Sequence, residues 1–211
     1  MFPFPFSFVA PVASGIGTVD NVYSMEFDGV DDNINCGDFS AYDNGDLSCS
    51  LWIYKTTSIS IDALIDNHLT STSIKGFSIQ VDDLERLFFK RNTATQRLGS
   101  GWRNVGISLN NWHHILVTYN ESANESKIYV DGSLKETTAG GSGTNSASYD
   151  LKIGSASSDA AFFTGNIDEV AVFDYTLDSD QVQEIYDATS TGKTADLDTL
   201  STPPVAWYRM G

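Results

Sequence analysis

The residues best suited to chemistry in this chain are carboxylates. Asp28, Asp31, Asp32, Asp38, Asp43 and Asp46 follow one another closely, interleaved with Gly29, Gly37 and Gly45. Carboxylate oxygens on pliable backbone are the donors that a hard cation selects, so this stretch predicts a structural Ca2+. The spacing is not that of an EF-hand loop. Aspartate is also a favoured turn residue, so a plain turn role stands beside the metal role for each of them.

Other residue types assemble less readily into a site. His113 and His114 are adjacent in a run that reads as a strand, which points them to opposite faces and keeps them from gripping one metal. His68 stands alone, so a zinc or nucleophile-base site would have to gather from distant loops. Gly140-Gly141-Ser142-Gly143 lacks the Lys-Ser/Thr pair and following helix of a phosphate-binding loop. Cys36 and Cys49 are the only cysteines, and both fall at apolar parity. They read as small buried hydrophobes, with a disulfide as the alternative.

The elements that would position such residues are strands. Asn111 to Gly132, NWHHILVTYNESANESKIYVDG, reads as two strands and their hairpin, the first apolar or β-forming on both parities and so covered on both faces. Asp131-Gly132 closes the second strand with a turn dipeptide. Leu47 to Lys55 alternates Leu47, Cys49, Leu51 and Ile53 against Trp52 and Tyr54, as a core strand does. Shorter strands are predicted at Asp62 to Leu69, Gly76 to Asp82, Arg86 to Asn92, Leu151 to Gly154, Asn166 to Phe173 and Val205 to Tyr208. Thr138 to Tyr149 reads as a Gly/Ser-rich loop. One helix is predicted from Ser179 to about Ala188, with Asp178 as its cap, Gln181 completing a capping box and Leu177 stapled onto Val182.

At 211 residues and 41% hydrophobic, the chain suits one large sandwich. Its net charge of −16 repels phosphate backbones and anionic bilayers, which argues against nucleic-acid and membrane partners. Arg86, Lys90, Arg91, Arg97 and Arg103 are the one concentration of positive charge and read as solvated strand edges. No apolar run is long enough to span a membrane, and the opening MFPFPFSFVAP lacks the basic start of a signal peptide. Phe2, Phe4, Phe6 and Phe8 alternate with Pro and Ser, which predicts an extended arm over residues 1–20 that buries its apolar edge against another subunit. Residues 21–190 form the expected domain, and 191–211 a polar linker ending in a strand.

Four stretches then resemble a known family in its own order: SMEFDGVDDNINCGD, LSCSLWIYK, NWHHILVTYN followed by KIYVDG, and GNIDEVAVFDYTLDSDQVQEIY. They are similar to the laminin-G-like branch of the concanavalin A-like lectin/glucanase jelly rolls and frame most of residues 24 to 187. The terminal WYRMG also resembles segments of structural proteins from marine bacteriophages. The family resemblance implies an all-β fold, a two-sheet antiparallel β-sandwich with one short C-terminal helix, and rim loops that present carbohydrate or protein sites. It implies a buried structural role for His114. It also implies a Ca2+ held where the first strand's acidic turn meets the last strand, which makes Asp28, Asp31, Asp32 and Asp168 the expected ligands. Asn33 stands where the family usually has an aromatic.

Relatives that cut polysaccharides carry a Glu-x-Asp-x-x-Glu strand, and this chain has none: Glu26 and Asp28 are two apart, but residue 31 is Asp. The resemblance therefore implies a non-catalytic module, a virion decoration or adhesion protein at the virion surface that binds glycans or neighbouring subunits. A secreted, extracellular lectin domain is the second reading, and a polysaccharide-active enzyme the third.

Overall fold

The structure is a computed structural model that describes residues 15–58, 60–68, 75–93, 96–99, 101–142, 149–189 and 192–210. In chain order its strands are β1 (Gly17–Asp20), β2 (Met25–Asp28), β3 (Ile34–Asp38), β4 (Leu47–Lys55), β5 (Asp62–Asp66), β6 (Gly76–Val81), β7 (Arg86–Asn92), β8 (Gln96–Gly99), β9 (Arg103–Asn104), β10 (Trp112–Asn120), β11 (Glu125–Val130), β12 (Ser133–Ala139), β13 (Gly141–Ser142), β14 (Asp150–Ile153), β15 (Thr164–Phe173), β16 (Lys193–Asp196) and β17 (Ala206–Tyr208). One α-helix, α1 (Ser179–Asp187), occurs among the described residues.

Two large sheets face each other. The first has seven strands in the order β12-β11-β10-β4-β15-β17, with β2 also paired to β15. The second has eight, β13-β8-β7-β6-β5-β14-β3, with β9 also on β7. Strand parity places the core between them. In β4 the residues Cys49, Leu51 and Ile53 lie opposite Val117, Ile115 and His113 of β10, and Ile53 also lies opposite Ile167 of β15. They meet Phe77, Ile79, Leu87, Phe89, Leu151 and Ile153 from the second sheet in one apolar cluster. The expected all-β sandwich with a single short helix is thus the observed fold.

A second core covers the outer face of the seven-stranded sheet. Leu116, Tyr129, Ala171 and Phe173 receive Leu177, Val182, Ile185 and Ala188 from the helix and its flanks, together with Ile16, Ala195 and Leu197. The capping box forms as expected: Asp178 accepts from the backbone of Asp180 and Gln181, and the Gln181 side chain accepts from the Asp178 backbone. The two sheets are also joined by a fully buried ion pair, Lys55 of β4 with Asp62 of β5, beside the Phe163 ring.

Several local readings change. Arg91 does not lie at a solvated edge. It is buried, its guanidinium donates to the carbonyls of Tyr42 (2.8 Å) and Gly45 (3.3 Å) and faces the Tyr119 ring at 5.8 Å, and burial pulls its pKa down to about 10. Arg86 and Arg103 are paired with Asp82 and Glu136. Cys36 and Cys49 are both free thiols, and Cys49 is the buried one. The strand β12 carries SLKETTA and runs into the stretch read as a Gly/Ser-rich loop from Thr138, and β13 lies inside that stretch; β12 shows little apolar residue because it is an exposed edge. Residues 17–20 of the expected arm and 193–196 of the expected linker pair with each other as a two-stranded sheet. The Phe2 to Phe8 segment lies outside the described residues.

Candidate functional site

Beyond the helix, aromatic residues occupy the outer face of the seven-stranded sheet. Trp112 and Tyr54 are opposite one another on β10 and β4, with ring centroids 5.6 Å apart. The next pair, His114 and Trp52, lies at 5.0 Å, and Tyr186 of α1 stacks on both at 6.0 Å. His114 is buried within this stack, with Nε2 2.7 Å from the Ser50 hydroxyl. Burial drives its pKa down to about 4, so the ring is neutral at neutral pH. His113 points the other way: its Nε2 accepts from the Ser108 backbone at 3.1 Å, which places the ring proton on Nδ1, 2.8 Å from Asp131 Oδ2. The two histidines therefore serve separate structural ends.

Strand β15 supplies the polar floor. Its register against β4 runs Asp168 opposite Trp52 and then Ala171 opposite Ser50, so one extra residue is inserted. Glu169 takes up the excess with a φ of 50°, a left-handed conformation that costs a side-chain-bearing residue of order 1–2 kcal/mol. The bulge turns Asp168 and Glu169 to the same outer face. Asn21 Nδ2 donates to both carboxylates, at 2.8 and 2.7 Å. Glu169 also accepts from Thr194 Oγ1 (3.0 Å) and Trp207 Nε1 (2.6 Å), with Arg209 Nε at 3.5 Å. Asp168 Oδ1 accepts from the Met210 backbone at 3.3 Å. Burial raises both pKa values, opposed by Asn21 at Asp168 and by Trp207 and Thr194 at Glu169.

These contacts hold the segment after β1 and the start of β16 on either side of a cleft of about 560 Å3. Asn21 N also donates to the Gly192 carbonyl (2.9 Å), closing the rim. Trp52 and Asp168 lie in the cleft, Trp112 stands at its side 42% exposed, and Val22 and Tyr23 overhang it, each 72% exposed. Ser24, Thr189 and Thr194 add uncharged hydroxyls.

The expected Ca2+ ligands divide. Asp28, Asp31 and Asp32 converge, each offering an oxygen within 4.8 Å of the others, all exposed. The turn is shaped by Val30 N donating to Asp28 Oδ1 (2.8 Å) and Asp28 N to Asp32 Oδ2 (3.0 Å). Three carboxylate oxygens at this separation suit a cation that binds oxygen at about 2.3–2.6 Å. Asp168 is elsewhere. Asp28 pairs with Thr164, four residues back along β15, roughly 13 Å away at the rise of a strand. Asp168 accepts from Asn21 and from the Met210 backbone of the C-terminal segment instead.

The sequence reading did not single out Trp112, Tyr23, Asn21 or Lys193 as site residues. The available signal was the outward parity of Trp52 and Tyr54 on a core strand; the loop partners leave no periodic trace.

Two antiparallel sheets packed face to face, with one helix over an outer face, define a jelly-roll-like β-sandwich. The model of the concanavalin A-like lectin/glucanases superfamily matches residues 28–183, and the chain belongs to that superfamily. Among solved structures it is similar to the CBM40 module of the Ruminococcus gnavus IT-sialidase bound to α2,3-sialyllactose, with a TM-score of 0.61 and 11% identity over 80% of this chain and 97% of that one. It is also similar to a heptameric SAP-like pentraxin from Limulus polyphemus, at 0.53 and 16% over 76% and 80%. At these identities the likeness is one of fold. No curated protein matches the chain in sequence.

Proposed function

We propose that the chain is a non-catalytic glycan-binding module and that the cleft beside Trp52 and Trp112 is where the sugar sits. The observation that carries this reading is the pairing of exposed aromatic faces with uncharged hydroxyls and one fixed carboxylate in a single concave site. Pyranose rings present a C–H face that packs on aromatic rings and a hydroxyl rim that needs such donors and acceptors. The likeness to a sialidase CBM40 module adds support at the level of fold. Glu169 is engaged by Asn21, Thr194 and Trp207, which favours a structural over a catalytic role for that carboxylate.

On the same reading, Asp28, Asp31 and Asp32 hold a structural Ca2+, the module is displayed on a virion surface, and the Phe2 to Phe8 arm engages a neighbouring subunit. The phage setting rests on the resemblance of WYRMG together with the acidic composition and the aromatic arm, and a secreted, extracellular lectin domain is the second reading.

Titration of the protein with an oligosaccharide panel, followed by tryptophan fluorescence, is expected to show saturable binding. Trp112→Ala should weaken it by roughly tenfold, about 1.4 kcal/mol, with little change in melting because the ring is exposed. Binding unaffected by Trp112→Ala would move the site elsewhere. Millimolar Ca2+ should raise the melting temperature relative to EDTA, by an amount equivalent to about 2.7 kcal/mol at one hundred times Kd, and Asp31→Asn should remove the difference; identical midpoints would leave the three aspartates as turn residues. Deleting residues 1–11 should abolish self-association in sedimentation while melting stays the same, and unchanged sedimentation would remove the arm from assembly.

A further inference from the structure

The charge of the cleft narrows its ligand. Asp168 is only 6% exposed and is held by Asn21 and the Met210 backbone, so its carboxylate cannot swing away from an incoming group. Its Oδ2 takes one hydrogen bond from Asn21, which leaves a lone pair for a sugar hydroxyl. Thr189 adds a buried hydroxyl with no partner among the described residues. Lys193 is the one cation among the described lining residues, and it is half exposed and lies 3.6 Å from Asp20. Arg209 is engaged by Glu169 and by the Asp20 carbonyl. Among the described residues the cleft thus offers dipoles and a fixed negative charge but no unengaged guanidinium to clamp a carboxylate, on a chain whose net charge is −16.

We infer, resting on the glycan reading above, that this cleft selects uncharged sugars and turns away sialic and uronic acids. A neutral pyranose places its C–H face on Trp112 or Tyr23 and donates a hydroxyl proton to Asp168. A sugar carboxylate in the same position meets Asp168 at short range in a partly desolvated cleft, where like charges repel far more than in bulk water. The module with which this chain shares its fold is, by contrast, bound to α2,3-sialyllactose.

The test uses the full chain and matched pairs differing in one carboxylate: galacto- against galacturono-oligosaccharides of equal length, gluco- against glucurono-oligosaccharides, and lactose against 3′-sialyllactose. Calorimetric titration at low salt should show the neutral member of the binding pair at least roughly tenfold tighter than its acidic partner, with the gap narrowing at high salt as screening grows. Asp168→Asn should also narrow that ratio; if this variant does not fold, the salt series on the unaltered protein carries the test. An acidic member that binds as tightly as its neutral partner would overturn the charge selection and leave glycan binding standing. Silence from every member of every pair would count against glycan binding itself, and the selection would fall with it.

Discussion

One extra residue in β15 governs the outer face of this protein. Without the bulge, Asp168 and Glu169 would point to opposite sides of the sheet, and Glu169 would enter the apolar core between the sheets. With it, two consecutive carboxylates emerge together and gather the remote ends of the domain. Asn21 follows β1, Thr194 belongs to β16, and Trp207 belongs to β17. Left-handed backbone at Glu169 and desolvation of two acids are the costs. Hydrogen bonds to charged acceptors, on the order of 1.5–3 kcal/mol each, offset them. The cleft is a consequence, since its walls are the segments that this acid pair holds.

The rest of the fold supplies a rigid base for that arrangement. The two sheets bury an apolar core, and the helix with its flanking residues buries a second one on the far side of β4, β10 and β15. These three strands are therefore covered on both faces over much of their length. Among the described residues, Trp112 of β10 stands exposed beside Tyr54 at the edge of that cover. The Lys55–Asp62 pair locks the sheets near that end; loss of either partner alone would leave an uncompensated buried charge, which costs about 3–5 kcal/mol. Rigid strands with a short loop on either side are a reasonable footing for recognition, because little ordering remains when a ligand arrives.

Much of this was legible in the sequence. The alternation in Leu47–Lys55 and Trp112–Asn120 marked the central strands, and Asp178 with Gln181 marked the helix start, because burial parity and capping chemistry are local signals. The order of four motifs carried the family. What was not legible was non-local. Nothing in GTVD or KTAD announces that residues 17–20 and 193–196 pair, and nothing in NIDEVAVF announces a bulge after Asp168. Nor does the sequence give the β2–β15 register, which sets Asp28 opposite Thr164 and so leaves Asp168, expected beside the acidic turn, roughly 13 Å from it along the strand. Arg91 misled for the same reason: a charged residue in a strand suggests solvent, whereas two carbonyls and the Tyr119 ring receive it in the interior.

The central claim is that the acid pair of the bulge holds the walls of the cleft. Amide hydrogen exchange on Glu169→Gln, compared with the unaltered protein, tests it most directly. The variant keeps the size of the side chain but gives up the charge that Trp207, Thr194 and Arg209 contact. Protection is expected to fall in residues 17–20, 193–196 and 206–208 while β4 and β10 exchange as before. Unchanged protection in those three segments would contradict the account and return the bulge to a local irregularity of one strand.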